Sequence, residues 1–229
     1  MRSSVSITLV ATLLLAVLAR AQTPEGFTSI FNGKDLTGWE GNPAIWSVQD
    51  GAITGTTTAE NPLKANTFIT WKDGKVADFE LRLKFRMNAG NTGIQYRSRE
   101  KGNWVVNGYQ ADFDFSKRYA GILYEEGGRG ILADIGTKVT IGPDGKKTVT
   151  GQTTDPAAIR SAIRDNEWND YTIIARGNKL THIINGNTTV EVIDEQADKR
   201  AMEGVLAFQV HVGPPMRVQF KDIYLKELK

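Results

Sequence analysis

In VLAFQVHV, residues 205–212, Gln209 and His211 alternate with Phe208, Val210 and Val212, so an amide and an imidazole leave one face of an extended strand together. The same alternation recurs twice upstream. In GIQYR, Gln95 and Arg97 oppose Ile94 and Tyr96; in GYQADFD, Gln110, Asp112 and Asp114 oppose Tyr109, Ala111 and Phe113. Amides and carboxylates make directional hydrogen bonds, a guanidinium fork binds paired acceptors, and an imidazole moves protons near neutral pH. Such a face suits sugar hydroxyls, with Trp104 or Tyr124 available to cover the apolar side of a sugar ring. The plainer reading of the same pattern is the wet outer face of a sheet, with a hydrogen-bonded structural histidine.

Other chemistries find less support. EEGGRG, residues 125–130, lacks the spacing of either phosphate-binding glycine motif, and its two glutamates would repel a polyphosphate. It reads as a turn at a sheet edge, able to bring Glu126 and Arg129 to the rim of a site. There is no GxSxG elbow and no histidine pair at zinc-ligand spacing. Asp112, Asp114, Glu125 and Glu126 could supply oxygen ligands to a divalent metal ion, although no EF-hand loop occurs. His182 alternates with Thr181 and Ile183 and reads as a strand-face residue.

Side chains spread over so many short segments need a scaffold of strands to bring them together. From Phe27 onward the hydrophobic period is two. FELRLKFRM is the clearest case: Phe79, Leu81, Leu83, Phe85 and Met87 share one face, and Glu80, Arg82, Lys84 and Arg86 the other. Similar short runs recur to the C-terminal end, separated by turn signals such as Asn185-Gly186 and Gly142-Pro143-Asp144-Gly145. This pattern predicts an all-β, two-sheet sandwich. One segment breaks the period: an acid or hydroxyl cap, Pro156, and Ile159 and Ile163 four apart predict a short helix over 155–164 on a connection.

Composition narrows the setting. The first residues combine Arg2, an apolar run from Ile7 to Leu18 and an Ala-Arg-Ala cleavage signal, so residues 1–21 read as a secretory signal peptide and 22–229 as one domain. Export to the periplasm or medium follows, with no stable membrane span after cleavage. Loss of Arg2 and Arg20 without any acid takes the formal charge from +2 to zero, and no basic stripe invites a nucleic acid. The chain has no cysteine, which excludes disulfides, thiolate metal sites and a lipid anchor on cysteine.

The motifs taken in order, GFTSIFNGKDLTGW (26–39), WSVQDGAITG, FELRLKFRMNAGNTGIQYRS, GYQADFD, AGILYEEGGRGIL, EWNDYTIIARG, GVLAFQVHVG and VQFKDIYLKEL, resemble the 3-keto-disaccharide hydrolase domain family over nearly the whole chain after the leader. The resemblance implies a concanavalin A-like, laminarinase-type jelly-roll sandwich acting on 3-keto-glycosides. Where many family members carry a glutamate in the GYQADFD region, this chain has Gln110 and carries its acid at Asp112. In the implied chemistry the C3 ketone acidifies the C2 proton, a base removes it, the enolate expels the C1 substituent, and water adds to the unsaturated sugar. His211 or Asp112 is expected to transfer the proton, Arg97 and Gln95 to stabilise substrate or enolate, and Gln209 and Tyr124 to position hydroxyls. Glu80 and Glu126 are further candidates. The competing expectation is a noncatalytic carbohydrate-binding module using the same face.

Overall fold

The computed structural model describes residues 23–229, and the expected signal peptide lies outside them. FELRLKFRM forms strand β6 (Phe79–Met87), whose five apolar side chains are buried while its charges face outward. Slipping its register by one residue would bury those charges, so the alternation sets the orientation of the strand.

Two sheets are built around this pattern. The larger, ten-stranded sheet runs β12 (Lys147–Gln152), β11 (Thr137–Ile141), β15 (Asn187–Asp194), β14 (Lys179–Ile184), β13 (Asn169–Arg176), β6, β17 (Arg217–Glu227), β4 (Ala52–Thr56) and β3 (Trp46–Gln49), with β1 (Thr28–Ser29) paired to β17. The smaller, seven-stranded sheet runs β10 (Gly130–Ala133), β9 (Leu123–Glu126), β8 (Val105–Asp114), β7 (Asn91–Gly102), β16 (Val205–Val210), β5 (Thr67–Trp71) and β2 (Trp39–Gly41). Their inner faces meet as the layers of a sandwich. Phe208 of β16 stacks on Phe220 of β17 with ring centroids 4.2 Å apart, and Phe113 of β8 meets Phe85 of β6 edge-on at 4.6 Å. Removing one such buried aromatic costs about 3–5 kcal/mol.

The predicted helix is present as α1 (Pro156–Ala162): Asp155 caps it by accepting from the Ala157 and Ala158 amides, and Ile159 anchors it in the core. Three local expectations are corrected. Glu125 and Glu126 belong to β9 rather than to a turn, and the reversal falls on residues 127–129. His211 lies one residue beyond the end of β16. At Arg97 the backbone turns left-handed, with φ of 48°, which breaks the alternation of β7.

Candidate functional site

The outer face of the seven-stranded sheet carries the polar residues. Because Ile94, Tyr109, Ala111, Phe113 and Phe208 fill the core, Gln95, Gln110, Asp112 and Gln209 must point the opposite way. Pairing aligns them: Gln95 lies directly opposite Gln110 between β7 and β8, and opposite Ala207 between β7 and β16. On the far side of β8, Tyr124 of β9 lies opposite Gln110, and alternation along β9 puts Glu126 on the same face.

These residues border a cavity of about 250 Å³ lined by Gln110, Asp112, Tyr124, Glu126 and His211, together with Asn66, Asn91, Tyr119, Ile122 and Ile131. A hydrogen-bonded relay of amides runs beneath it. Ser98 Oγ donates to Gln95 Oε1 at 2.6 Å, Gln95 Nε2 to Gln110 Oε1 at 2.8 Å, and Gln110 Nε2 to Asp112 Oδ1 at 2.9 Å. The second proton of the Gln110 amide points at Gln209 Oε1, 3.5 Å away, and Gln209 Nε2 donates to Glu126 Oε2 at 3.3 Å. Asn66, whose Oδ1 accepts from the Val212 amide, donates to Glu126 Oε1. Each amide is thereby oriented by its neighbour, and the relay delivers donors to two carboxylates.

Asp112 is 6% exposed, with Asn91 Nδ2 3.2 Å from its Oδ2. Burial raises its pKa to about 7, against the opposing pull of the hydrogen bonds from Asn91 and Gln110. A carboxyl poised there can take up a proton at neutral pH and give it back. Burial, with smaller contributions from Glu126 and Asp112, raises the Tyr124 hydroxyl above its ordinary range, so it stays a neutral donor. His211 Nδ1 lies 2.5 Å from the Val212 carbonyl, which can only accept. The Nδ1 proton is therefore committed, and in the neutral ring Nε2 is the basic nitrogen.

Of the residues expected from sequence, His211, Asp112, Gln110, Tyr124 and Glu126 line one cavity, and Gln95 and Gln209 support it from below. Four others stand elsewhere. Arg97 is buried and donates to the carbonyls of Ala77 and Gly177 and to Asp78, so it braces loops instead of facing the cavity. Glu80 lies on the outer face of the other sheet, paired to Arg82. Arg129 joins Glu125 to Asp194, tying β9 of one sheet to β15 of the other. Trp104 occupies the tip of the β7–β8 hairpin, where its carbonyl accepts from the Phe68 amide.

Sequence reading missed Asn66, Asn91, Tyr119, Ile122 and Ile131. Asn91 shares strand parity with Gly93 and Gln95, which is a usable signal; Asn66 and Tyr119 lie outside the strands and carry none. No group of three or more His, Asp or Glu side chains suited to holding a metal ion forms among the described residues. Asp114 instead accepts from Ser116 and from the Tyr119 amide, and Glu125 is engaged by Arg129. His182 is fully buried, with Nε2 accepting from Tyr96 and Nδ1 facing the Gly121 carbonyl, and burial lowers its pKa to about 4. It is a core histidine.

The 3-keto-alpha-glucoside-1,2-lyase-like domain matches residues 26–226 of this sequence. The chain belongs to this family. No curated protein matches it. Among solved structures, two proteins of Parabacteroides distasonis ATCC 8503, both assigned provisionally as glycosyl hydrolases, share the fold of this family member. One is 19% identical with a TM-score of 0.61, covering 88% of this chain and 99% of its own. The other is 20% identical with a TM-score of 0.58, covering 90% and 95%. The carbohydrate-binding module CBM66 of Bacillus subtilis is 15% identical with a TM-score of 0.55, covering 83% and 96%. At these identities the likeness is one of fold. Among the described residues no helix is long and apolar enough to cross a membrane.

Proposed function

We propose that this family member cleaves 3-keto-glycosides, with Asp112 as the base that removes the C2 proton. The observation that carries the reading is a buried carboxyl with a pKa near 7, held by Asn91 and Gln110 at a cavity that also presents His211 and Tyr124. In the proposed first step the C2–H electron pair forms the C2–C3 enolate and the proton passes to Asp112. The neutral Tyr124 hydroxyl donates to the developing oxyanion at C3, where a preorganised donor acts most strongly. Re-formation of the C3 ketone then expels the C1 oxygen, leaving a C1–C2 double bond.

The departing alkoxide needs a proton, which His211 supplies from Nε2 in its imidazolium form or Asp112 returns. Addition of water across the double bond, hydroxide at C1 and a proton at C2, completes net hydrolysis; release before hydration makes the reaction a lyase. Glu126 and Asn66 serve the sugar hydroxyls, with Gln95 and Gln209 holding the amides above them in place. An ordinary glycosidase would instead need two carboxyls flanking an unoxidised acetal.

The experiment is incubation of the purified protein with 3-keto-glucosides and with the unoxidised parent glucosides. Turnover confined to the keto compounds, accompanied by absorbance from a transient enone, is the expected result. Saturable binding of either compound without bond cleavage would replace this reading with a carbohydrate-binding module, and cleavage of the parent compounds would remove the need for the ketone.

A further inference from the structure

On the opposite side of the sandwich, the outer face of the ten-stranded sheet holds a second polar cavity, of about 210 Å³, lined by Arg86, Asn88, Asn166, Arg217 and Gln219 with Met87 below. Strand register builds it. In one row Gln219 of β17 lies between Arg86 of β6 and Thr54 of β4; in the next, Arg217 lies opposite Thr56. Residues directly opposite share a face, so these side chains stand side by side on the outer surface.

In the first row the Gln219 amide is satisfied on both sides. Arg86 Nε donates to Gln219 Oε1 at 2.7 Å, and Gln219 Nε2 donates to Thr54 Oγ1 at 2.9 Å. The second row leaves polar atoms unpaired. Arg217 Nε is buried without a hydrogen-bond partner, and so is Thr56 Oγ1 across the strand pair. Orphaned buried polar atoms are rare because each forfeits its hydration, so hydrogen-bonding capacity is left unused in this row. Asn88 Oδ1 accepts from the Arg217 backbone amide at 2.8 Å. The carboxylate that reaches Arg217 is Asp50, at 3.3 Å from Nη2 and with its side chain 74% exposed.

Charge points the same way. Arg86 lies over the Trp168 ring at 4.6 Å and Lys221 lies over the same ring at 4.2 Å, so both cations rest on an aromatic platform rather than on acids. The terminal nitrogens of Arg86 make no hydrogen bond among the described residues.

We propose that this cavity is a binding site for a small oxyanion, a sulfate or phosphate group, which pairs with the Arg86 and Arg217 guanidinium groups that line it. The site is independent of the chemistry assigned to the other sheet. The group is either a free ion or an ester carried on a saccharide.

Side-chain Arg Nε–H NMR signals test this directly. The protein is titrated with sodium sulfate, with a sulfated monosaccharide, and with sodium chloride at matched ionic strength; loss of a signal in Arg86→Lys or Arg217→Lys assigns each arginine. Sulfate is expected to shift both signals saturably, and chloride to leave them in place. Tighter binding of the sulfated sugar identifies an ester as the ligand, whereas equal affinity identifies the free ion. Arg217→Lys keeps the charge and loses the fork, so half-saturation at the Arg86 signal should rise roughly tenfold, as one lost charge-assisted bond implies. Shifts that chloride reproduces, that never saturate, or that survive Arg217→Lys with unchanged half-saturation would overturn the proposal.

Discussion

Gln110 lies flat across Gly93: a Cβ placed on residue 93 would stand 2.3 Å from the Gln110 Cδ. The bare backbone of β7 is therefore what lets this amide reach Asp112 on its own strand and Gln95 on the next. Gly93→Ala should leave the protein folded and push Gln110 off Asp112. A shift of about 1 Å at a reacting group costs on the order of 100-fold in rate. The expected outcome is a fall of that order in kcat on 3-keto-glucosides with an almost unchanged thermal midpoint.

Asp112→Asn keeps the shape, retains one of the two amide contacts and removes the base. Turnover of a 3-keto-glucoside should fall by roughly 100- to 10,000-fold, measured at saturating substrate. Full activity in this variant would transfer the base role to His211, and His211→Ala would then carry the loss.

The raised pKa of Asp112 also sets a pH dependence of rate. The base must be ionised, so kcat/KM should climb with pH through about 7 and level off above it. A profile already flat from pH 5 upward would contradict the assignment.

Stability should move in the opposite direction. Asp112 holds its proton up to about pH 7 when folded, whereas the unfolded group releases it near 3.8, so the native state binds more protons across that window. Stability therefore falls as pH rises from about 4 to 7, and the ionised, buried carboxylate is a net cost above that. Asp112→Asn should flatten this limb and raise the denaturation midpoint at pH 8, as read by urea titrations at several pH values.

Arg97→Met should behave as a structural change. It removes donors from the carbonyls of Ala77 and Gly177 and from Asp78, and leaves them without their cation. A loss of about 2–3 kcal/mol in unfolding free energy is expected, with KM and kcat of the folded fraction preserved. A selective rise in KM would instead return Arg97 to the substrate site.

The division between Gln110 and Arg97 shows what one strand at a time can reveal. Side-chain alternation is a local, steric property, so the residue pattern alone determined that Gln95, Gln110, Asp112 and Gln209 turn away from the core, that the protein is a β-sandwich, and that a capped helix follows Asp155. It could not determine which strands lie side by side. Gln209 reaches Gln110 across 99 residues because β16 and β8 both flank β7, a pairing settled by packing of the two sheets. Glu80 alternates as cleanly as Asp112, yet its strand belongs to the other sheet. Arg97 was placed on the wrong face because its left-handed φ, imposed where β7 bends to meet Asp78 and Gly177, is a tertiary constraint on a residue that adopts such backbone rarely. The chain specifies faces by short-range sterics, and the cavity exists only once long-range packing brings those faces into one sheet.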